Sequence, residues 1–341
     1  MLKRNLTRTI ILRAYNWIKE FGLPNIDNPR KLMRSFVWTF LPTHKKYPPF
    51  IIIDPIVKCN LNCPMCSVPP KTLPRYGSKL SLEEFTEIFE KIKNSTNRIG
   101  LAHAGEPFLN SQLIDMIELI NKAGLISAVG TNATLFNKKN IQRIIKSELD
   151  ILLISFDGFS KESYEKYRVR ADFDKVLANI TKLAVEKRKR KARKPVITVT
   201  YLVNAYNSHE VNDARDYFTG LGIKFQPKGI NLNVHRRIDG LKQEVLEHWL
   251  DIDSPYSIYK KDEKGNVIFK EPPKLTCDTC EKPVITCSGD ILICCHDIFE
   301  SVTLGNIKDI VFKKFWLSKA YRNIRKMASQ RKLRICRKCG K

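Results

Sequence analysis

Residues 58–70 read Lys-Cys-Asn-Leu-Asn-Cys-Pro-Met-Cys-Ser-Val-Pro-Pro, which puts Cys59, Cys63 and Cys66 within eight residues as C-x3-C-x2-C. A fold that uses them must converge three thiols on one short loop. Thiolates are the soft donors that iron-sulfur clusters select, and a four-iron, four-sulfur cube ligated at three corners leaves one iron open. The apolar run Phe50-Ile51-Ile52-Ile53 just ahead predicts a buried strand, so the cysteines fall on a loop at a strand's carboxyl end, where α/β folds keep their chemistry. Pro64, Pro69 and Pro70 keep that loop out of a helix. Two plainer readings compete: half of a structural zinc site, which needs a further ligand nearby, and three ordinary buried thiols. Zinc ligands usually come as two separated pairs, so the spacing favours iron.

From residue 50 to about 230, strand and helix patterns alternate with short connections, the mark of a parallel sheet built from βαβ units. Ser81-Leu82-Glu83-Glu84 is a capping box, and the helix it opens puts Phe85, Ile88, Phe89 and Ile92 on one face. A strand follows at 99–103, then a helix over 113–122 that stops at Gly124. Further strands are predicted at 125–129, 151–155, 196–203 and 223–226, and further helices at 141–146, 173–191 and 211–218. About six βα units predict an α/β fold, a partial (β/α)6 TIM-like barrel open on one side. Residues 1–49 form a basic extension with two amphipathic stretches, predicted to pack on the core as short helices, with contact to a lipid surface as the alternative. The charged segment 231–275, with Trp249, Tyr256 and Tyr259, is predicted to cross the barrel mouth on the substrate side.

A chain of 341 residues can bury a sizeable core. Its ten cysteines fall in 59–66 and 277–339 with none between, which argues for metal sites over disulfides. No apolar run reaches the roughly 18–20 residues that span a bilayer and no signal peptide is apparent, so the expected location is cytoplasmic. The formal charge is +25 and uneven: residues 313–341 carry twelve Lys or Arg and no acid, and 187–194 is nearly all basic. An anionic substrate or partner would explain this, as would a merely lysine-rich surface. Nucleic acid is the less favoured partner, because no aromatic-interleaved basic motif accompanies the charge.

The cysteine motif, with apolar Met65 before its last cysteine, resembles that of the radical S-adenosylmethionine (SAM) superfamily. Later turns follow the family's order. His103-Ala104-Gly105-Glu106-Pro107 resembles its Gly-Gly-Glu-Pro motif, with Ala104 departing from the first glycine. Gly130-Thr131-Asn132-Ala133-Thr134 is similar to its Thr-Asn-Gly motif, Ser155-Phe156-Asp157-Gly158 to its Ser-(Ile/Leu)-Asp-Gly, and Tyr167-Arg168 to its Tyr/Ile-Arg. The resemblance implies that Cys59, Cys63 and Cys66 hold a [4Fe-4S] cluster whose open iron chelates S-adenosyl-L-methionine, and that reduction splits the cofactor to a 5′-deoxyadenosyl radical. It further implies cofactor contacts from Gly105, Glu106 and Pro107 to the ammonium, from Ser155 and Asp157 to ribose hydroxyls, and from Arg168 to the carboxylate. Thr131, Asn132 and Met65 would lie beside SAM. Taken singly these motifs have plain readings: a common turn, a helix cap, a surface salt bridge.

The second group is Cys277, Cys280, Cys287, Cys294, Cys295, Cys336 and Cys339. With Leu304-Gly305-Asn306-Ile307 and Phe315-Trp316, it resembles the C-terminal auxiliary-cluster domains called SPASM and twitch. The resemblance implies a small cysteine-rich α+β domain over 276–341 with one further [4Fe-4S] cluster on Cys277, Cys294, Cys336 and Cys339, Cys280 and Cys295 being alternates. A zinc ribbon on the same cysteines is the structural alternative. The expected protein is an oxidoreductase or maturase that modifies a peptide side chain or oxidises a sugar or alcohol carbon, with flavodoxin or ferredoxin as reductant. The rival readings are a cysteine-rich protein binding zinc and nucleic acid, and a radical SAM enzyme acting on RNA.

Overall fold

The computed structural model describes residues 31, 34, 46–68, 71–231, 248–271, 277 and 279–336. Six strands, β1 (Phe50–Ile53), β2 (Arg98–Leu101), β3 (Ile126–Thr131), β4 (Ile151–Ser155), β5 (Val196–Val203) and β6 (Lys224–Gly229), pair in parallel and in chain order. Between them run helices α1 (Leu82–Ile92), α2 (Leu113–Lys122), α3 (Lys138–Lys146), α4 (Lys161–Tyr167), α5 (Phe173–Lys189) and α6 (Val211–Gly220). This is the open α/β arrangement expected from the periodicity, and the sheet does not close on itself. α1 begins with the predicted capping box: Glu84 N donates to Ser81 Oγ and Ser81 N to Glu84 Oε2. α4 begins with a second box, built on Ser160 and Ser163.

One face of the sheet carries the core. Ile51, Ile53, Ile99, Leu101, Val129, Leu152, Ile154 and Val199 meet Phe85, Ile117, Ile120, Ile144, Ile180 and Phe218 from the helices, all of them buried. Burying each such side chain stabilises by roughly 1.5–3 kcal/mol. The opposite face is open. Because side chains alternate along a strand, Leu153 points away from its buried neighbours Leu152 and Ile154, and it is 38% exposed although β4 lies well inside the sheet. On β6, Phe225 stacks on Phe218 of α6, which leaves Lys224, Gln226 and Lys228 on the open face.

On the far side of β1 the same sheet continues through β9 (Val284–Ile285), β10 (Asp290–Leu292) and β11 (Thr303–Asn306). β9 runs parallel to β1, and β10 and β11 are antiparallel to their neighbours. The cysteine-rich region is therefore anchored on the strand that feeds the first cysteine loop. Two helices follow, α7 (Phe312–Leu317) and α8 (Lys319–Ser329), and Trp316 is fully buried with its indole donating to Lys46 O at 2.7 Å. Residues 248–271 pack on the β5–β6 end with a hairpin of their own, β7 (Tyr259–Lys261) and β8 (Val267–Phe269). A Cβ at Gly229 would stand 2.1 Å from Tyr256 O, so only glycine admits this close crossing.

Of the N-terminal extension, Lys31 and Arg34 are described; the other residues of 1–45, on which the two expected helices fall, lie outside the described residues. Lys31 Nζ meets Asp150 Oδ2 at 2.5 Å and Asn121 Oδ1 at 2.8 Å, while Arg34 donates to Lys93 O and Thr96 O. These contacts lie at the amino ends of the strands, opposite the cysteines. Among the described residues no helix is long and apolar enough to cross a membrane.

The turn leaving β4 is held by Glu210, whose carboxylate accepts from Phe159 N, Ser160 Oγ and Ser163 Oγ, each at 2.6 Å. Burial alone would raise its pKa, but these hydrogen bonds outweigh it and hold the carboxyl below the usual carboxylate range. A depressed acid contributes stability that is fully present above its unfolded pKa and lost as pH falls through the folded one. Glu210→Gln is therefore expected to cost about 1–3 kcal/mol at pH 7 and to flatten the loss of stability below about pH 5. Urea midpoints of both proteins between pH 7 and pH 4 test this, and parallel acid limbs would sink it.

Candidate metal centres

The loop after β1 carries Cys59, Cys63 and Cys66 beneath the carboxyl ends of the parallel strands. It closes on itself through Cys66 N to Cys63 O at 3.1 Å and is tied to the end of α4 by Asn62 N to Val169 O at 3.0 Å. Hydrogen-bond donors face two of the sulfurs. Leu61 N stands 3.4 Å and Asn132 Nδ2 3.8 Å from Cys59 Sγ, and Arg168 Nη1 stands 3.7 Å from Cys63 Sγ. Burial raises the pKa of all three thiols, that of Cys66 to about 11. A metal taken up here must displace their protons. Met65 is 1% exposed and sits with Leu61, Tyr167, Ile230, Trp249 and Tyr259 in an apolar cluster that covers the loop. Pro69 and Pro70 lie outside the described residues.

The other motif residues converge on this loop from successive strand ends. Gly105 passes so close to it that a Cβ would lie 2.4 Å from Ile56 O and 2.6 Å from Lys58 O, and Glu106 N donates to Lys58 O at 2.8 Å. Pro107 opens a short 3-10 turn. The Glu106 carboxylate is 2% exposed and already takes three donors: Thr131 Oγ1 at 2.8 Å, Asn132 N at 2.7 Å and Phe108 N at 3.1 Å. It acts here as a clamp between the β2 and β3 turns. Asn132 reaches from that clamp to Asn60 Oδ1 at 3.1 Å. Asp157 Oδ1 accepts from Leu202 N at 2.7 Å and Oδ2 pairs with Arg168 Nη2. Burial works against the Arg168 charge, but Asp157 and the Cys63 thiolate outweigh it and raise its pKa further. Ser155 closes β4, opposite Thr200 in register. Asn60, inside the cysteine motif, bonds Thr134 Oγ1 at 2.8 Å and escaped the sequence reading; its place between two ligand positions was the available signal.

The second group divides. Cys277, Cys280, Cys294 and Cys336 line one cavity together with His296, Ile293 and Arg331. Cys280 takes its place there because a short 3-10 turn, Thr279–Glu281, faces α8, where its thiol donates to Arg325 O at 3.6 Å. Burial pushes that thiol up to about 12. Cys295 does not line the cavity, and its carbonyl accepts from His103. Cys287 is buried apart from it, donating to Asp54 O at 3.1 Å. Cys339 lies outside the described residues.

The donor sets suit iron-sulfur clusters: three thiols on one loop, two of them facing hydrogen-bond donors, and four thiols around one cavity. Among the described residues no three His, Cys, Asp or Glu side chains stand close enough to share one metal ion. Thiolates on a cube each bind a different iron and need no such approach.

Residues 53–218 match the model of the radical SAM superfamily, and residues 276–340 match that of the SPASM iron-sulfur cluster-binding domain. The chain belongs to the radical SAM superfamily. As a radical SAM enzyme it carries the [4Fe-4S] cluster with SAM that defines the family, and its SPASM region carries additional iron-sulfur. This radical SAM chain is 28% identical over 198 residues to the 7,8-dihydro-6-hydroxymethylpterin dimethyltransferase of Methanocaldococcus jannaschii, covering 54% of the chain and 37% of the relative. It is 27% identical over 115 residues to the PqqA peptide cyclase of Rhodopseudomonas palustris, 33% of the chain and 29% of the relative. The chain thus spans less than half the length of these curated relatives. Among solved structures, SuiB of Streptococcus suis bound to its precursor peptide SuiA superposes with a TM-score of 0.59 at 16% identity, covering 92% of this chain and 75% of that one.

Proposed function

We propose that this protein cleaves SAM reductively at a cluster held by Cys59, Cys63 and Cys66, abstracts a hydrogen atom from a peptide substrate, and uses an auxiliary cluster on Cys277, Cys280, Cys294 and either Cys336 or Cys339. The observation that carries the reading is the convergence of three thiols, Arg168 and the Gly105–Glu106 turn on one loop at the carboxyl ends of the strands. The cluster and SAM supply a carbon radical when bound; the chain supplies placement and exclusion of water. Arg168, already beside Cys63, would hold the SAM carboxylate with its guanidinium. Glu106 fixes the turn that would meet the SAM ammonium. Trp249 packs edge-on against Tyr167 and Tyr206, at 5.3 and 5.2 Å between ring centres, and screens the cysteine loop from that side.

A peptide is favoured over a compact sugar for two reasons. The open face of the sheet, with Gly130, exposed Leu153 and Thr198 across its middle, offers a surface along which an extended chain can lie. The chain's net charge of +25 suits an acidic side chain. The peptide-acting relatives point the same way. The test is the rate of deoxyadenosine formation by anaerobically reconstituted protein given a reductant and SAM. An acidic peptide pool is expected to raise it several-fold over the substrate-free rate, while amino sugars leave it unchanged. The reverse pattern would transfer the assignment to sugar oxidation.

A further inference from the structure

Between the two thiol groups lies a buried contact that neither cluster motif calls for. His103 follows β2, with its side chain 4% exposed and its backbone at φ +145°, a region that non-glycine residues occupy only when their surroundings hold them there. Its Nδ1 faces Asp54 Oδ2 at 3.2 Å and its Nε2 faces Cys295 O at 3.2 Å. The carbonyl is an acceptor only, so Nε2 carries a proton and donates to Cys295 O, while Nδ1 and the Asp54 carboxyl share the other hydrogen bond. Asp54 is fixed in turn: its Oδ1 accepts from Ala104 N at 3.1 Å, its N donates to Ile285 O at 2.9 Å, and its carbonyl accepts from Cys287. On one side of His103 the chain runs directly through Ala104 and Gly105 to the Glu106 clamp and so to Asn132 and Cys59. On the other side, Cys295 adjoins Cys294, whose sulfur lines the auxiliary cavity and accepts from His296 N at 3.3 Å.

We propose that His103 is a positioning residue for the auxiliary centre, holding the Cys294–Cys295 backbone against the SAM-side turn and thereby setting the reduction potential of the auxiliary cluster. The inference rests on the two-cluster reading above. A buried donor directed at a ligand-bearing loop favours the more reduced, more negative cluster. Losing it therefore moves the potential downward and frees the loop.

The experiment uses the reconstituted holoprotein with His103→Ala and His103→Gln, the second keeping an N–H donor. Redox titration followed by EPR resolves the two clusters, and amide exchange reports on residues 294–297. The expected result is an auxiliary potential shifted to more negative values in His103→Ala and largely restored in His103→Gln, with the SAM cluster's signal unmoved. Exchange in the loop should be about ten-fold faster in His103→Ala, the worth of one hydrogen bond, and largely restored in His103→Gln. Two clusters present with an unshifted auxiliary potential in His103→Ala would overturn the inference alone. A wild-type protein with a single four-iron cluster would overturn it together with the reading it rests on.

Discussion

Replacing Cys59, Cys63 and Cys66 together by alanine is expected to abolish deoxyadenosine formation and to lower the iron content from about eight to about four per chain, one cube of two. The loss should be selective because the two thiol groups do not share ligands: the first sits on the loop after β1, the second around the cavity beside α8. The converse change, Cys277→Ala with Cys294→Ala, is expected to remove the other four irons while substrate-free SAM cleavage persists. Folding should survive the triple change, since the loop's contacts run largely through backbone, as in Asn62 N to Val169 O, and through Met65 and Leu61. Iron assay and chromatography of the nucleoside check both halves. Deoxyadenosine formed at the wild-type rate by the triple variant would remove Cys59, Cys63 and Cys66 from the reaction.

The second large effect belongs to Arg168. Its guanidinium pairs with Asp157, a carboxylate 3% exposed, and removing one partner of a buried pair leaves an uncompensated charge. Arg168→Ala is expected to lower stability by about 3–5 kcal/mol, a cost that comes mainly from the abandoned Asp157. The double variant Arg168→Leu with Asp157→Leu should recover most of it, because no buried charge remains. Both proteins should lose SAM affinity alike, so stability and binding separate. Denaturant unfolding with SAM titration measures the two. An Arg168→Ala protein as stable as wild type would mean that the pair contributes little, as at an exposed site.

How much of this was legible beforehand follows from the range of the interactions. The six parallel strands and five of their helices announce themselves by alternating or helical apolar spacing and by caps such as Ser81 with Glu84, all of which act within a few residues. α4 was missed because seven residues offer too little periodicity. So were β9 to β11, at two to four residues each, since β9 is placed by pairing with β1 more than two hundred positions away and β10 and β11 pair in turn onto it. The motif residues were visible as types, but their present partners were not. Glu106 gives its oxygens to Thr131 and Asn132, and Asp157 gives one to Arg168 and one to Leu202, contacts that depend on which strand ends adjoin. Spacing likewise could not choose between Cys280 and Cys295. The turn against α8 brings the first to the cavity, while the second lends its carbonyl to His103.

The most direct test of the central claim is the EPR spectrum of the reduced, anaerobically reconstituted protein with and without SAM. An open iron on the Cys59–Cys63–Cys66 cluster predicts two [4Fe-4S] signals, of which one alone shifts when SAM is added and is absent from the triple cysteine variant. A signal indifferent to SAM, or a colourless protein holding zinc in place of iron, would contradict it.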